Sequence, residues 1–183
     1  MHDNFIEKNL QRFYSDYFIN QTSSGTSALI CILAALKNKK KNEVIIPSVV
    51  CPSILFAVNF LSLKPIFVDM EKIFFNMDVG SIRKKISKNT LAIICVHCYG
   101  IAANIPAVSK IAKKSKIFMI EDACLNFGGK INGQYYGSFG DASVLSFGYD
   151  KILSEKGGAL LVKNKRLNLI IKKFLKKNIL FND

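Results

Sequence analysis

Histidine and acidic side chains are scarce in this sequence of 183 residues. There are only two histidines, His2 and His97, and the 13 acidic side chains face 26 lysines and arginines, for a formal charge of +13. A tetrahedral zinc site needs four ligands, and the pair Cys95 and Cys98 lacks a second pair to complete it. Their spacing within a predicted strand also puts them on opposite faces. We therefore interpret the cysteines as structural free thiols.

The excess of positive charge has no organised pattern. The basic residues form short dispersed clusters, at 37–41, 83–85, 163–166 and 172–177, and no aromatic side chains alternate with them as a base-stacking groove requires. We interpret these clusters as solvated faces and expect no nucleic-acid partner. The odd number of cysteines and the lack of a signal-peptide pattern lead us to expect a cytoplasmic protein.

Two segments could contact a membrane, and neither is expected to insert. Residues 44–63 carry no charge and are long enough to span a bilayer. Pro47 and Pro52 interrupt them, however, and Asn59 would need a hydrogen-bonding partner in lipid, so a buried strand, a turn and a helix fit better. Segment 165–177 is amphipathic and rich in lysine; we interpret it as a packed helix, with an anionic membrane surface as the alternative.

Short apolar strands alternate with amphipathic helices along most of the chain, which predicts an α/β fold with a mostly parallel sheet covered on both faces, a three-layer α/β/α architecture. No linker, repeat or low-complexity segment divides the chain, so we expect one domain over 1–183, with an N-terminal helix over 1–20 as an arm. Asn132-Gly133 predicts a hairpin turn. The predicted strands are 43–47, 64–70, 90–97, 116–122, 142–147 and 158–162, and the predicted helices are 26–37, 52–61, 78–86, 104–114 and 165–177.

Polar residues follow the predicted strands at the edge where ligands bind in such sheets. Asp122 ends one strand, Ser146 ends another, and Lys151 follows it. The turn before the first long helix, at Gly25, Thr26 and Ser27, predicts an anion site made of helix N-terminal amides. An anion site, a carboxylate, a serine and a lysine are what pyridoxal 5'-phosphate requires, since a lysine holds it as a Schiff base and a carboxylate keeps its ring nitrogen protonated.

The order of the motifs SGTSAL, IIPS, PIFVDM, VHCYG, EDA, GSFGDASVLSF and EKGGALLV resembles the DegT/DnrJ/StrS family of pyridoxal-phosphate-dependent nucleotide-sugar aminotransferases, over about residues 23–162. The resemblance implies the large domain of a fold type I transferase. It implies that Lys151 is the Schiff-base lysine and that Asp122 pairs with the pyridinium nitrogen. It further implies phosphate ligands at Gly25, Thr26, Ser27 and Ser146.

Three positions depart from the family pattern. Cys51 falls where the family has an aromatic residue stacked on the cofactor ring, and sulfur gives a smaller and softer contact there. Leu125 replaces a glutamine that contacts the ring hydroxyl, and Phe127 replaces a nearby histidine. We expect each change to weaken cofactor binding or alter the electronics of the cofactor, and none to remove the Schiff base.

The resemblance also implies a reaction and partners. An amino group would pass from an amino acid, glutamate by preference, to a keto-sugar nucleotide used in surface polysaccharide synthesis. Family members are about twice as long and carry a smaller C-terminal domain, which we expect to be absent here. We therefore expect a homodimer or a separately encoded C-terminal half as partner, and little activity from this chain alone. The alternative is a catalytically inactive large-domain remnant or half of a split enzyme.

Overall fold

A computed structural model describes residues 5–152 and 156–177, and the elements below lie within these ranges. The helices are α1 (Phe5–Leu10), α2 (Gly25–Leu36), α3 (Pro52–Phe60), α4 (Val79–Lys85), α5 (Ile105–Ser115) and α6 (Lys165–Lys177), with a 3-10 turn at Cys98–Gly100. The strands are β1 (Phe18–Thr22), β2 (Glu43–Pro47), β3 (Lys64–Val68), β4 (Thr90–Val96), β5 (Phe118–Asp122), β6 (Lys130–Ile131), β7 (Gln134–Tyr135), β8 (Ala142–Ser146) and β9 (Gly158–Val162).

The core of the fold is a seven-stranded sheet with the order β1-β9-β8-β5-β4-β2-β3. Strands β3, β2, β4, β5 and β8 are parallel, whereas β9 and β1 are antiparallel to their neighbours. Every residue of β2, β4 and β9 is buried, as expected for strands covered on both faces. The predicted α/β fold with a mostly parallel sheet is therefore confirmed.

Helices cover both faces of the sheet and so form the three predicted layers. Helices α2, α3 and α6 pack on one face, and α4 and α5 pack on the other. Helix α2 begins at the cap residue Ser24 and is buried at Gly25 and along Ser27 to Leu33, because it lies between the sheet and its two neighbouring helices. Cys98 belongs to the first of these cores and Cys95 to the second, which confirms their opposite orientation.

The uncharged segment 44–63 forms β2 and α3, and Pro52 occupies the first turn of the helix, as predicted. Among the described residues, no helix combines the length and apolar character needed to cross a bilayer. Helix α6 buries Leu167, Ile171 and Leu175 against the first core, so the interpretation of this segment as a packed helix is confirmed.

The prediction of a single N-terminal helix over 1–20 is wrong within the described residues. Helix α1 ends at Leu10, and the side-chain amide of Gln11 then bonds the carbonyls of Tyr14, Ser15 and Tyr17 in a turn. The chain continues as β1, which pairs with β9 along five residues. If this segment were a free helix, the backbone groups along the edge of β9 would have no partner. Pairing with β1 satisfies them, and this tertiary contact overrides the helical pattern.

The start of one strand differs from its predicted position, and the predicted hairpin is present. Strand β5 starts at Phe118 rather than at residue 116, because Lys116 adopts a left-handed conformation (φ +53°) that ends α5. The small hairpin forms as predicted between β6 and β7. Its turn residues Asn132 (φ +49°) and Gly133 (φ +80°) both adopt positive φ, the geometry that an Asn-Gly pair favours in a two-residue turn.

Candidate active site

A cavity of about 600 Å³ opens at the carboxyl ends of β4, β5 and β8, beside the N-termini of α2 and α3. Neighbouring parallel strands end at this edge, since Val96 pairs with Asp122 and Asp122 with Val144. The structure brings together on the cavity wall all but one of the predicted site residues: Gly25, Thr26, Cys51, Asp122, Ser146 and Lys151. The exception is Ser27, which lies behind the wall and is buried.

The N-terminus of α2 supplies amide donors to one side of the cavity. The Ser24 hydroxyl caps the helix by accepting from the Ser27 amide at 3.0 Å, and the Ser27 hydroxyl contacts those of Ser23 and Ser24 at 2.8 and 3.0 Å. The amides of Gly25 and Thr26 have no acceptor inside the helix, because they belong to its first turn. These two amides and the positive end of the helix dipole would favour an anion at this position.

Two glycines allow this helix to approach the strand ends. A Cβ atom at Gly25 would lie 3.0 Å from the Ser146 Cβ and 3.1 Å from the Cys124 Sγ. A Cβ atom at Gly158 would lie 2.5 Å from the Gly25 nitrogen, closer than any side chain tolerates. The α2 amides and the Ser146 hydroxyl therefore share one small space only because these two positions carry no side chain.

Asp122 ends β5 and is half-buried beside the cavity. Its Oδ1 accepts from the Cys124 amide at 3.0 Å. Burial raises the pKa of Asp122 above the ordinary carboxyl value, while hydrogen bonds from Cys124 and the nearby charge of Lys151 act in the opposite direction. Ionisation of this carboxyl group in the cofactor-free cavity is therefore costly, and a cationic ligand would favour it.

Lys151 reaches the cavity from the turn after β8, where its amide donates to the Gly148 carbonyl at 3.0 Å. Its side chain is only 17% exposed, and Nζ lies 2.6 Å from Oδ2 of Asp150, whose side chain is 76% exposed. Burial lowers the pKa of Lys151, but the hydrogen bond and charge of Asp150 outweigh burial and leave that pKa above its ordinary value. The contact with Asp150 therefore favours the protonated form of Lys151.

Glu121 anchors the wall behind the cavity. Its carboxylate is fully buried and accepts from the backbone amides of Gly137, Phe139 and Gly140 at 2.6, 2.7 and 3.1 Å. It also contacts Nε2 of His97 at 3.0 Å. Because Nδ1 of His97 accepts from the Ala103 amide at 3.1 Å, Nε2 must carry the hydrogen, and the imidazole is a neutral donor to Glu121. This network ties β4, β5 and the loop after β7 together.

One side of the cavity wall carries the non-polar or weakly polar side chains of Cys51, Cys124 and Leu125. Cys51 is exposed at the start of α3 and accepts from the Ser53 hydroxyl at 3.1 Å. Burial raises the pKa of the Cys124 thiol far above its usual value, and the adjacent Asp122 raises it further, so this thiol stays neutral. Leu125 is 39% exposed. This side of the cavity therefore offers apolar contact and little hydrogen bonding.

Sequence reasoning did not assign Asp150, Cys124 or the Glu121 network to the site. Asp150 could have been found from its position next to Lys151, but nothing in the sequence shows that its carboxylate contacts the lysine it precedes. Glu121 and Asp122 stand side by side in the sequence, and only the alternation of a strand indicates that they face opposite sides.

The cavity of this α/β fold combines helix N-terminal amides, a carboxylate, a serine and a lysine. This combination is typical of enzymes whose cofactor carries a phosphate group. The model of the DegT/DnrJ/EryC1/StrS aminotransferase family matches residues 2–180, and the chain belongs to this family. The predicted family resemblance is thereby confirmed.

Individual relatives agree with this family. The chain is 34% identical over 166 residues to a GDP-perosamine synthase of Escherichia coli O157:H7, covering 89% of this chain and 46% of the relative. It is 38% identical over 140 residues to a UDP-N-acetyl-3-dehydro-alpha-D-glucosamine 3-aminotransferase of Acidithiobacillus ferrooxidans, covering 76% and 38%. The chain thus spans less than half of the length of these two curated relatives.

Solved structures give the same fold. PseC of Helicobacter pylori, an aminotransferase of pseudoaminic acid biosynthesis, superposes with a TM-score of 0.87 at 25% identity, covering 93% of this chain and 47% of PseC. NtdA of Bacillus subtilis, solved with bound pyridoxamine phosphate (PMP), superposes with a TM-score of 0.85 at 31% identity, covering 94% and 39%. The family uses pyridoxal phosphate, which confirms the predicted cofactor at the level of the family.

The residues of the cavity fit this cofactor. The α2 amides and the Ser146 hydroxyl would suit a phosphate, and a Cβ at Gly25 would crowd the Ser146 side chain. Asp122 provides an acceptor for a protonated ring nitrogen, and Lys151 is the one lysine on the cavity wall among the described residues. Phosphate, ring nitrogen and aldehyde thus each have a matching group in the cavity.

Proposed function

We propose that this chain is the cofactor-binding large domain of a pyridoxal-phosphate-dependent aminotransferase that moves an amino group from an amino acid, glutamate by preference, to a keto-sugar nucleotide. The observation that carries the proposal is the cavity where the α2 N-terminus, Asp122, Ser146 and Lys151 meet. Membership of the aminotransferase family supports the reaction class. The GDP- and UDP-sugar enzymes among the relatives support a nucleotide sugar as acceptor.

The phosphate of the cofactor would bind at the start of α2. Gly25 and Thr26 offer backbone amides there, and Ser146 offers a hydroxyl. Ser27 takes part indirectly, because its amide and hydroxyl hold Ser24 in the capping geometry that orients this turn. A phosphate at this position gains both hydrogen bonds and the helix dipole.

Asp122 would bind the ring nitrogen. Pyridoxal phosphate, when bound, supplies an electron sink for the charge that develops at the substrate carbon. Asp122 maintains that sink by remaining ionised and keeping the nitrogen protonated, and the positive ring nitrogen in turn offsets the burial that raises the pKa of Asp122. The Cys124 amide, bound to Oδ1, holds the carboxylate in place.

Lys151 would hold the cofactor covalently and move the proton. Its Nζ is the candidate for the Schiff-base link, and once released it acts as base and then acid in the proton shift at the substrate carbon. A base must be neutral before it accepts a proton, so the ion pair with Asp150 has to open during this step.

Exposed apolar side chains on and near the cavity wall are candidates for coverage by a partner. Tyr99, which lines the cavity, is 71% exposed, and Tyr149 and Ile152, which flank Asp150 and Lys151 in the sequence, are 82% and 69% exposed. Exclusion of water strengthens the electrostatic contacts on which such catalysis depends. A second copy of the chain or a separate C-terminal half is therefore the proposed partner, and covering these side chains is its proposed role.

Covalent trapping tests the assignment of Lys151. Purified protein is mixed with pyridoxal phosphate, reduced with borohydride and mapped by peptide mass spectrometry. We expect the reduced cofactor on Lys151, no adduct at that peptide in Lys151→Ala, and an unchanged adduct in the matched control Lys88→Ala, which removes an exposed lysine. Labelling spread over many lysines would overturn the assignment.

Turnover tests the reaction. The protein is incubated with glutamate and a panel of keto-sugar nucleotides, alone and with any separately encoded C-terminal half, and products are identified by mass. Amino-sugar formation that depends on Lys151 supports the proposal. Trapping on Lys151 without turnover under any of these conditions would reduce the function to cofactor binding.

A further inference from the structure

The chemistry proposed for Lys151 gives no role to Asp150 itself, although its ion pair with Lys151 has to open for that chemistry. The two residues are adjacent, and their side chains fold toward each other to bring Nζ and Oδ2 within 2.6 Å. Lys151 lines the cavity together with Asp150. A carboxylate is thus built beside the amine that has to react.

We propose that Asp150 is a positioning residue that holds the Lys151 amine protonated in the cofactor-free cavity and thereby sets the pH at which this amine becomes reactive. The inference rests on the proposed function only in naming Lys151 as the reactive lysine. The contact is between two side chains of this chain, so it can be tested without any cofactor.

Asp150 is the strongest charged neighbour of Lys151 among the groups that face it. The others are Asp122 at the end of β5, Cys124 after it, and Cys51 before α3. Burial raises the pKa of Asp122 and of the Cys124 thiol, which disfavours their charged forms. The pKa of Asp150, by contrast, is lowered by its hydrogen bond to Lys151, so Asp150 remains ionised.

Asp150 affects the loss of one proton from the Lys151 ammonium group. Before Nζ can attack an aldehyde, the ammonium group has to release a proton to solvent; the freed lone pair then forms the bond to the carbonyl carbon, and the carbonyl oxygen leaves as water. Asp150 stabilises the ammonium form and so opposes the first step. Because Asp150 is 76% exposed, solvent screens the pair and the effect is moderate.

Competitive labelling measures the effect directly. The cofactor-free protein is acetylated with acetic anhydride across the pH range in which lysines titrate, and the labelling of Lys151 is compared with that of the exposed reference Lys88 by peptide mass spectrometry. We expect Asp150→Asn to move the midpoint for Lys151 to lower pH, because the amide no longer stabilises the ammonium form. Asp150→Glu keeps the charge, so its midpoint should stay close to that of the wild type. Asp16→Asn, which removes an exposed carboxylate outside the cavity, should change nothing.

Two results would overturn the inference. One is an Asp150→Asn profile that superimposes on that of the wild type. The other is an Asp150→Glu profile that matches Asp150→Asn, which would show that the shape of the side chain matters and its charge does not. A simple loss of fold would change the far-UV circular dichroism spectrum of the variant, so this spectrum separates unfolding from a local effect.

Pyridoxal phosphate separates this inference from the proposed function. A lower midpoint makes more neutral amine available at neutral pH, so borohydride trapping on Lys151 should be faster in Asp150→Asn than in the wild type. A shifted acetylation midpoint without any trapping would contradict the proposed function and leave the role of Asp150 intact. Trapping on Lys151 that is equal in both proteins, together with equal acetylation midpoints, would contradict the role of Asp150 and leave the proposed function intact.

Discussion

Two neighbouring carboxylates at the end of β5 have opposite environments. Glu121 is fully buried, and both of its oxygens accept hydrogen bonds from the loop after β7 and from His97. Asp122, the next residue, points to the other side of the sheet, where it lines the cavity and is bound by Cys124. One side of β5 is thus a completed structural network, and the other side faces an open cavity.

The fold therefore keeps the residues that stabilise the end of β5 apart from those that line the candidate site. The network of Glu121 leaves few polar groups unpaired, so it fixes the end of β5 and with it the position of Asp122. Asp122 itself keeps a raised pKa, the sign of a carboxyl group that the cofactor-free fold does not fully stabilise. Substitutions on the two sides should therefore have different and partly opposite effects.

The largest effect is expected on the structural side. Glu121→Ala leaves the amides of Gly137, Phe139 and Gly140 and the His97 N–H buried without an acceptor, and we expect a loss of about 3 to 5 kcal/mol in the free energy of unfolding. Urea unfolding monitored by circular dichroism measures this loss. Glu121→Gln, which keeps one acceptor oxygen, should lose less.

Glu7→Gln provides the control for this substitution, because Glu7 accepts a single hydrogen bond, from the Gln21 amide at 3.3 Å, at the surface. We expect a change within about 0.5 kcal/mol. Equal losses for Glu121→Ala and the control would show that the network contributes nothing to stability.

An intermediate effect is expected where α2 meets β8 and β9. Gly158→Ala places a Cβ 2.5 Å from the Gly25 nitrogen, whereas Gly25→Ala meets the Ser146 and Cys124 side chains at 3.0 and 3.1 Å. We expect losses of about 1 to 3 kcal/mol, larger for Gly158→Ala because backbone yields less than a side chain. Both should also weaken pyridoxal phosphate binding, measured by titration of the absorbance band. A larger loss of stability for Gly25→Ala than for Gly158→Ala would contradict this explanation of how closely α2 approaches β8 and β9.

The smallest effect on stability, with the opposite sign, is expected at Asp122. Because its folded-state pKa is raised, the protein is most stable when Asp122 is protonated and loses stability as the pH rises through that pKa. Asp122→Asn removes this loss and can still accept from the Cys124 amide. The Tm of the cofactor-free variant should therefore be slightly higher than that of the wild type at neutral pH, and the two should converge in acid.

The same variant is expected to lose transamination, since an amide cannot balance the charge of a protonated ring nitrogen. Trapping on Lys151 should persist. A lower Tm at neutral pH, or full activity of Asp122→Asn, would show that this carboxylate is a structural group like its neighbour.

Much of the fold follows from the sequence because buried parallel strands are continuous apolar runs bounded by turns. Strands β2 and β9 have the predicted bounds, and the convergence of Asp122, Ser146 and Lys151 follows from the rule that the ends of parallel strands share one edge. The start of α2 was also predictable, since Ser24 is a favourable cap and glycine follows it.

What the sequence does not reveal depends on contacts between distant parts of the chain. Strand β1 has the polar sequence FINQT, and its identity as a strand depends on pairing with β9. The orientation of Ser27 depends on its hydroxyl contacts, which turn it away from the cavity. The bond between Asp150 and Lys151 depends on side-chain torsions in a turn. None of these has a periodicity that local reasoning can detect.

The pairing of β1 with β9 has a consequence for the order of assembly. Asn20 donates to Asn168 at 2.8 Å although 148 positions separate them, and α2 is packed by β8, β9 and α6. During synthesis, the apolar α2 therefore emerges long before the elements that cover it, and closing such long loops is slow. The turn bearing Lys151 lies between β8 and β9, so the candidate site is completed late in synthesis, and until then the apolar face of α2 stays exposed to aggregation.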